Sequence, residues 1–573
     1  MINDGRTAAT QVEELRRLHI ALAGIQLPFD LAGVAEARAE RDELANQIDD
    51  YLIPRLERLD APLLAVLGGS TGSGKSTITN SIAGADVSPS GVLRPTTRAP
   101  VLICHPDDLA WFTTTDVLPH LPRVTGEGVA TGASLKVEAV ETLSPGLALI
   151  DAPDIDSVEE ANRELATQLL AAADLWLFVT TAVRYADAVP WEFLGRAQSR
   201  GTSLSVVINR MPQGASAEIV PHLQSMLVDG GLNDVSIFAI ENNELTDGRL
   251  PAAATNELTS MLSGLAADAE KRADVVRQTI DGALASVPDR ARLVLASAQA
   301  NNDAAHVLAE VATQQTEAAR SRIADDLTGG ALLRGEVLDR WQELIGTNEM
   351  MRAVQSRISS IRDRISGFVR GRPVATTEVQ GEITSTLEQM LVDHLDANAL
   401  AIANTWRTLP GGAKVLDGDR TLERASDATR QRIGPEIRAW QDDILELVKE
   451  RGAGKRNMAR VMAFGVNGVG VALMIVLFAQ TGGITGGEVA VASGTAGVSQ
   501  ALLNAIFGEQ AVRELAAAAR EQLLARIDGF VEHEIERYRT RIRSLTTGPS
   551  STEDLAAAIN SGGFGTANTE GQA

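Results

Sequence analysis

The stretch at residues 69–76 constrains the fold of this chain more than any other. Its sequence, GSTGSGKS, fits the pattern G-x-x-x-x-G-K-[ST]. An apolar run at residues 63–67 precedes it, and a helix-compatible run at residues 77–83 follows it. Glycines let successive backbone N–H groups curl around phosphate oxygens, and the positive end of the next helix faces the same anion. The stretch therefore predicts a strand, a phosphate-binding loop and a helix. The competing interpretation is a glycine-rich turn without a ligand.

Two side chains of this loop carry the expected chemistry. Lys75 is predicted to reach the β- and γ-phosphates of a nucleotide, and the Ser76 hydroxyl is predicted to ligand Mg²⁺, which keeps most of its waters. The residues predicted to surround the phosphates are Gly69, Ser70, Thr71, Gly72, Ser73, Gly74, Lys75, Ser76 and Thr77.

Residues 61–250 alternate short apolar runs with helix-like segments, which predicts an α/β domain with a mostly parallel sheet covered on both faces. In such a domain the ligand binds at the carboxyl ends of the strands. The strand-like runs are residues 63–67, 99–104, 135–140, 147–150, 175–179, 204–208 and 235–240.

Polar residues lie at the expected carboxyl edge of this sheet. Asp151 ends an apolar run and is predicted to hold Mg²⁺ through its water shell, although a helix N-cap is the alternative. In the Pro- and Gly-rich loop at residues 89–98, Thr96 or Thr97 is predicted to close over Mg²⁺ and the γ-phosphate; the alternative is an ordinary surface loop. Asn209 is predicted to brace the base region and the phosphate loop; the alternative is an asparagine that only forms a turn.

Composition narrows the class of protein. A net charge of −23 argues against a nucleic-acid partner, because binding to phosphate backbones needs the opposite sign. The single cysteine, Cys104, lies in an apolar run and is predicted to be a core residue in a reducing compartment. The polar N-terminus lacks the apolar core of a signal peptide.

The remainder of the chain is predicted to be helical. Residues 1–60 read as helices that pack on a long helical stalk, residues 251–456 as that stalk, and residues 509–545 as a returning stalk helix. The small, polar tail at residues 546–573 is predicted to be disordered.

Residues 457–508 are predicted to form an apolar hairpin, because they contain two uncharged runs, at residues 461–479 and 489–507. As a helix the first run is about 28 Å long, close to the hydrocarbon thickness of a bilayer. Arg451, Lys455, Arg456 and Arg460 precede it and favour anionic headgroups at a cytoplasmic face. We expect membrane insertion or reversible dipping into the membrane; the alternative is a helical hairpin buried in the bundle.

Four motifs within residues 65–212 resemble those of the dynamin-like large GTPases. GKSTITNSIAG at residues 74–84 looks like G-K-S-T-L-x-N-x-L-x-G, and PTT at residues 95–97 is similar to that group's first switch. DAPD at residues 151–154 resembles D-x-P-G, and NRMP at residues 209–212 resembles N/T-K-x-D. The order of GTPase domain, helical region, apolar hairpin and closing helix is similar to that of bacterial, particularly actinobacterial, dynamin-like proteins.

The resemblance implies a GTP-hydrolysing enzyme with Mg²⁺, whose site residues carry over by motif position. It implies catalytic roles for Lys75, Thr96 and Thr97, metal ligation by Ser76, Thr96 and Asp151, and nucleotide contacts by the loop residues with Asp154, Asn209 and Arg210.

The resemblance also implies membrane remodelling at the cytoplasmic face of the cell membrane, with the division septum as one place of action. The implied partners are anionic membrane lipid, a second copy joined through the GTPase domains, and a dynamin-like paralogue.

Three departures from the family pattern keep other functions open. Asp154 replaces the second-switch glycine, Pro212 replaces the aspartate that reads guanine, and Thr71 with Gly72 replace a glutamine and a serine. These changes favour a membrane scaffold with little hydrolysis as the alternative. An ATP-driven transporter subunit is a third candidate, but no L-S-G-G-Q-like stretch lies between the loop and Asp151.

Overall fold

The computed structural model describes residues 8–89, 99–114, 117–118, 121–126, 134–157, 159–187, 191, 193–195, 197, 202–233, 235–328, 373–453, 466–479, 499–500, 502–504, 506–546 and 548–562. The chain forms two compact units. The first contains Met1–Leu27, Ala32–Ala300 and Thr547–Ala573, and the second contains Pro28–Leu31 and Asn301–Thr546.

The first unit contains eight strands with helices before, between and after them. The strands are β1 (Leu63–Gly69), β2 (Val101–Cys104), β3 (Arg123–Thr125), β4 (Leu135–Ala139), β5 (Leu147–Asp151), β6 (Leu175–Thr181), β7 (Ser203–Met211) and β8 (Ser236–Glu241). The helices are α1 (Ala8–Ala23), α2 (Val34–Gln47), α3 (Ile53–Glu57), α4 (Lys75–Ala83), α5 (Leu109–Thr113), α6 (Glu160–Ala171), α7 (Ser216–Asp229), α8 (Ala252–Ala267) and the first half of α9 (Ala269–Thr328). A π-helical turn, Ile48–Leu52, joins α2 to α3.

The strands form one sheet in the order β3-β4-β2-β5-β1-β6-β7-β8. Every neighbouring pair is parallel except β2 and β5. All residues of β1, β5 and β6 are buried, because helices cover both faces and apolar side chains of either parity are removed from water. The predicted mostly parallel sheet is therefore confirmed. The edge strand β3 was not predicted, because its sequence is short and largely polar.

A buried polar cluster joins the N-terminal segment to the sheet. Asp174, which precedes β6, accepts hydrogen bonds from Leu64 N at 2.8 Å, Tyr51 Oη at 3.1 Å and Arg55 Nη2 at 2.8 Å. Arg290 of α9 contacts Glu40 and Gln47 of α2. The sequence predicts that residues 1–60 pack on the stalk; in the structure α2 contacts α9, which belongs to the predicted stalk, and Tyr51 and Arg55 contact Asp174 beside the sheet. Amphipathic spacing shows that a helix has a partner but does not say which one.

Cys104 lies at the end of β2 and is fully buried. Burial, with Asp108 as a smaller cause, raises the pKa of its thiol to about 12. Because the thiolate is the reactive form, we expect no reaction of the native protein with a thiol-specific reagent at neutral pH. One equivalent should react after unfolding, and rapid labelling of the native protein would contradict this placement.

The second unit is a helical bundle. Its helices are the second half of α9, then α10 (Pro373–Trp406), α11 (Gly412–Leu416), α12 (Asp427–Arg451), α13 (Val466–Ala479) and α14 (Glu509–Arg543). The Trp440 indole of α12 packs at a ring-centroid distance of 6.0 Å from Phe478 of α13 and donates to Ala519 O of α14 at 2.8 Å. Buried Glu534 accepts hydrogen bonds from Ser426 and Thr429 at the start of α12. The predicted helical region is therefore a packed bundle over the part that the structure describes.

The apolar segment lies partly in this bundle. Within α13 the side chains of Val469 and of residues 471–478 are buried and share one core with α10, α12 and α14. No helix among the described residues is both long and apolar enough to cross a membrane. The predicted transmembrane helix is therefore not supported, and the described part of the hairpin corresponds to the buried alternative. Residues 454–465 and 480–498 lie outside the described residues.

The C-terminal segment differs from its prediction. Residues expected to be disordered form α15 (Gly548–Ser561), which packs against α1 and buries Leu555, Ala558 and Ile559. Small and polar residues lower the average hydrophobicity of this stretch, yet three apolar residues at helical spacing provide one buried face.

Candidate functional site

The parallel order of β5, β1, β6 and β7 brings the carboxyl ends of four strands to one edge of the sheet. Leu67 of β1 is in register with Asp151 of β5, and Gly69 is in register with Val179 of β6. Loops that follow distant segments of sequence therefore meet above β1.

The loop after β1 has the glycine conformations that its motif requires. Gly74 has φ +96°, and a Cβ there would lie 2.3 Å from Asn209 Nδ2. Gly69 has φ +154°, and a Cβ there would lie 2.1 Å from Val179 O. A side chain at either position would combine backbone strain with a collision. Asn209 itself donates from Nδ2 to Ser73 O at 2.8 Å, so it braces the loop from β7.

Lys75 begins α4 directly after this loop, and its side chain is only 5 % exposed. Its ammonium donates to Gly69 O at 2.8 Å and approaches Ser70 O at 3.4 Å. Its third partner is Asp154 Oδ1 at 2.5 Å, from the loop after β5. The resemblance implies that Asp154 contacts the nucleotide; in the structure its carboxylate pairs with Lys75.

Ser76 and Asp151 meet at the start of α4. Ser76 Oγ donates to Asp151 Oδ2 at 2.6 Å, and Ser88 Oγ donates to the same oxygen at 2.5 Å. Asn80 fixes Ser88, because its Oδ1 accepts from Ser88 N at 2.8 Å and its Nδ2 donates to Ser88 O at 2.8 Å. The carboxylate is fully buried, and its Oδ1 has no hydrogen-bond partner within the described part of the chain.

These groups fit a hydrated magnesium ion. An orphaned buried carboxylate oxygen beside a hydroxyl offers hard oxygen ligands, and one carboxylate is enough where phosphates and water complete the shell. Burial raises the pKa of Asp151, while Lys75 and the two serine hydroxyls oppose that shift. A cation at this position would favour the ionised carboxylate further.

Asp156 and Arg184 clamp the middle of the loop. Asp156 Oδ1 accepts from Thr71 N at 2.6 Å and from Thr71 Oγ1 at 2.8 Å. Arg184, after β6, donates to Thr71 O at 3.3 Å and to Asp156 Oδ2 at 3.1 Å. Burial acts to raise the pKa of Asp156, but the hydrogen bonds from Thr71 and Arg184 outweigh it and lower the pKa overall.

Two buried hydroxyl groups of the loop, Ser70 Oγ and Ser73 Oγ, have no hydrogen-bond partner among the described residues. Buried polar atoms are rarely left unpaired, so such groups favour a bound ligand or water. Together with the lysine and the helix N-terminus, they make the loop suitable for phosphate oxygens.

The remaining predicted residues have varied positions. Thr77 is half-buried in the first turn of α4. Arg210 is exposed at φ +56°, and its backbone N donates to Asn209 Oδ1 at 2.9 Å. Thr96 and Thr97 lie outside the described residues. Asn209 lies within β7, two residues before its end, and not in a loop after the strand.

The sequence predicts no role at this site for Ser88, Asp156 or Arg184. Arg184 and Asp156 both lie just beyond the carboxyl end of a predicted strand, the region where α/β sheets bind ligands. That positional rule was the available signal for both residues. Ser88 had no such signal, since its position beside Asp151 depends on tertiary contacts, among them those with Asn80.

No protein-family model matches the chain, and no curated protein matches it. Among solved structures, one chain of an oligomerised bacterial dynamin pair, described as sensing and tethering membranes over long range, aligns at 11 % identity over 98 % of this chain and 96 % of its own, with a TM-score of 0.38. LeoA, a bacterial dynamin GTPase from ETEC, aligns at 12 % identity over 94 % and 97 %, with a TM-score of 0.23. Era, in complex with MgGDPNP and a segment of 16S ribosomal RNA, aligns at 18 % identity over 35 % and 56 %, also at 0.23. TM-scores this low do not establish a shared fold.

Proposed function

We propose that this chain is a dynamin-like GTPase that binds and hydrolyses GTP with Mg²⁺ and acts on membranes. The observation that supports it best is the pair formed by Ser76 and buried Asp151 beside Lys75, at the end of a strand that leads into a glycine-rich loop. A phosphate ligand and a divalent cation would satisfy the orphaned polar atoms of this site.

In this proposal each residue has a defined task. The loop residues and Lys75 hold the phosphates, Ser76 ligands the metal, and Asp151 orients its water shell. Thr96, or Thr97, completes the metal site, and Asn209 with Arg210 supports the base side of the loop. Hydrolysis is the attack of water on the γ-phosphate, catalysed by positioning and charge neutralisation. When bound, Mg²⁺ supplies positive charge to the phosphate oxygens.

For the membrane we propose anionic lipid at the cytoplasmic face, self-association through the nucleotide-binding domains, and a dynamin-like paralogue as a further partner. The support is the motif order and the basic residues before the apolar segment. One of these, Arg451, forms an ion pair with Glu514 at 2.6 Å, so its positive charge is partly neutralised within the bundle.

A second candidate function is a nucleotide-binding membrane scaffold with little hydrolysis. The ion pair of Asp154 with Lys75 favours it, because the loop lysine is already neutralised. Pro212 favours it too, since a site without an acceptor for the guanine ring discriminates bases weakly.

One titration separates these functions. Purified protein is titrated with labelled GTP and ATP in Mg²⁺, with and without anionic liposomes, and phosphate release is followed in parallel. We expect GTP preference and hydrolysis stimulated by liposomes. Binding without turnover supports the scaffold, and the absence of binding to either nucleotide contradicts both functions.

A further inference from the structure

All three N–H donors of the loop lysine have partners within the protein. An ammonium group has three donors, and those of Lys75 face Gly69 O, Ser70 O and Asp154 Oδ1. The first two are backbone groups of the loop that Lys75 follows. Asp154 is the one partner of the three that carries a charge, and it comes from the loop after β5.

Asp154 is held in this position by its own segment. Ile155 N donates to Gly69 O at 3.3 Å, and Ser157 N donates to Asp154 O at 3.2 Å. Two residues after Asp154, the Asp156 carboxylate is bonded to the backbone and hydroxyl of Thr71. The two residues that follow Asp154 are therefore both attached to the phosphate loop, and the Asp154 side chain is itself 21 % exposed.

We propose that Asp154 determines the choice between nucleoside diphosphate and triphosphate, because its carboxylate holds the lysine donor that a terminal phosphate needs. This inference rests on the nucleotide-binding function proposed above. A triphosphate must draw Lys75 away from Asp154 and then lie beside the released carboxylate. The negative charges of the phosphate and of this adjacent carboxylate repel strongly where water is partly excluded. A diphosphate has no γ-phosphate to place beside the carboxylate, so it meets less of this repulsion.

The wild-type site therefore favours the diphosphate, and removal of the carboxylate reverses that preference. Asp154→Gly removes both the charge and the side chain, and Asp154→Asn removes the charge at nearly constant shape. Asp60→Gly, in an exposed turn before β1, is the matched control for an Asp-to-Gly change.

The test measures the dissociation constants of fluorescently labelled GDP and of a labelled non-hydrolysable GTP analogue in Mg²⁺, for the wild type and the three variants. Thermal melting of each variant shows whether it folds. We expect Asp154→Gly to raise the affinity for the triphosphate analogue about tenfold relative to that for GDP, the scale of one hydrogen bond to a charged group. Asp154→Asn should move the ratio in the same direction, and Asp60→Gly should leave it unchanged.

The outcomes separate this inference from the proposed function. If the wild type binds both nucleotides and both folded Asp154 variants keep its affinity ratio, Asp154 has no role in selection and the inference is wrong. If neither the wild type nor any folded variant binds either nucleotide, the proposed function is itself wrong.

Discussion

Lys75→Ala is expected to weaken the binding of labelled GTP by at least about 100-fold, because it removes charge-assisted hydrogen bonds to phosphate, each worth about 1.5–3 kcal/mol. The fold should persist. The lysine lies at the first position of α4, where alanine is well tolerated, and Asp154, which loses its partner, is partly in water.

The measurement is a dissociation constant by fluorescence titration, with a melting curve for each protein. Lys271→Ala is the matched control, because that lysine is 68 % exposed and forms a surface ion pair with nearby Asp268. Its nucleotide affinity should equal that of the wild type. Unchanged nucleotide affinity of the Lys75→Ala variant would show that this loop does not bind the nucleotide.

Asp174→Ala is expected to lower the free energy of unfolding of the first unit by about 3–5 kcal/mol, the range for removing one partner of a buried ion pair. The Asp174 and Arg55 side chains are 1 % and 8 % exposed. Loss of the carboxylate leaves the Arg55 guanidinium, the Tyr51 hydroxyl and Leu64 N without their shared acceptor.

The shift can be measured as a decrease in the urea midpoint of the transition reported by Trp176, which is buried in the same sheet. Asp289→Ala is the control: this aspartate is 86 % exposed and forms a surface ion pair with Arg292, so the expected change is below about 1 kcal/mol. The double variant Asp174→Ala with Arg55→Met should recover part of the loss, because it no longer buries an unpaired charge. A small effect of Asp174→Ala alone would mean that water reaches Arg55.

Local sequence was sufficient for the elements whose physics is local. The β1 run is apolar at every position and leads into glycines that take positive φ, so strand, loop and helix follow from neighbouring residues. The pairing of Ser76 with Asp151 was also predictable, because parallel strands end at one edge. The ion pair of Asp154 with Lys75 was not, since it depends on the direction in which one side chain turns within a loop.

The environments of helices α13 and α15 could not be predicted from local sequence. The apolar run at residues 461–479 matches the length of a membrane span, and the same composition suits a helix buried in a bundle. Only the packing of α13 against Trp440 and its neighbours distinguishes the two for the described residues. The helix α15 was missed for a related reason, because its partner α1 lies more than 500 residues away in sequence.

The sequence by itself determined the α/β class, the glycine-rich loop between β1 and α4, and the helical character of the rest of the described residues, because glycine content, apolar periodicity and residue spacing act over a few residues. The tertiary structure decided which groups form hydrogen bonds or ion pairs with each other and which side chains pack in one core. It brought Asp154 to Lys75, Asp156 and Arg184 to Thr71, and Asp174 to Arg55. These contacts join residues far apart in the chain, and their energies depend on burial and direction, which no local pattern encodes.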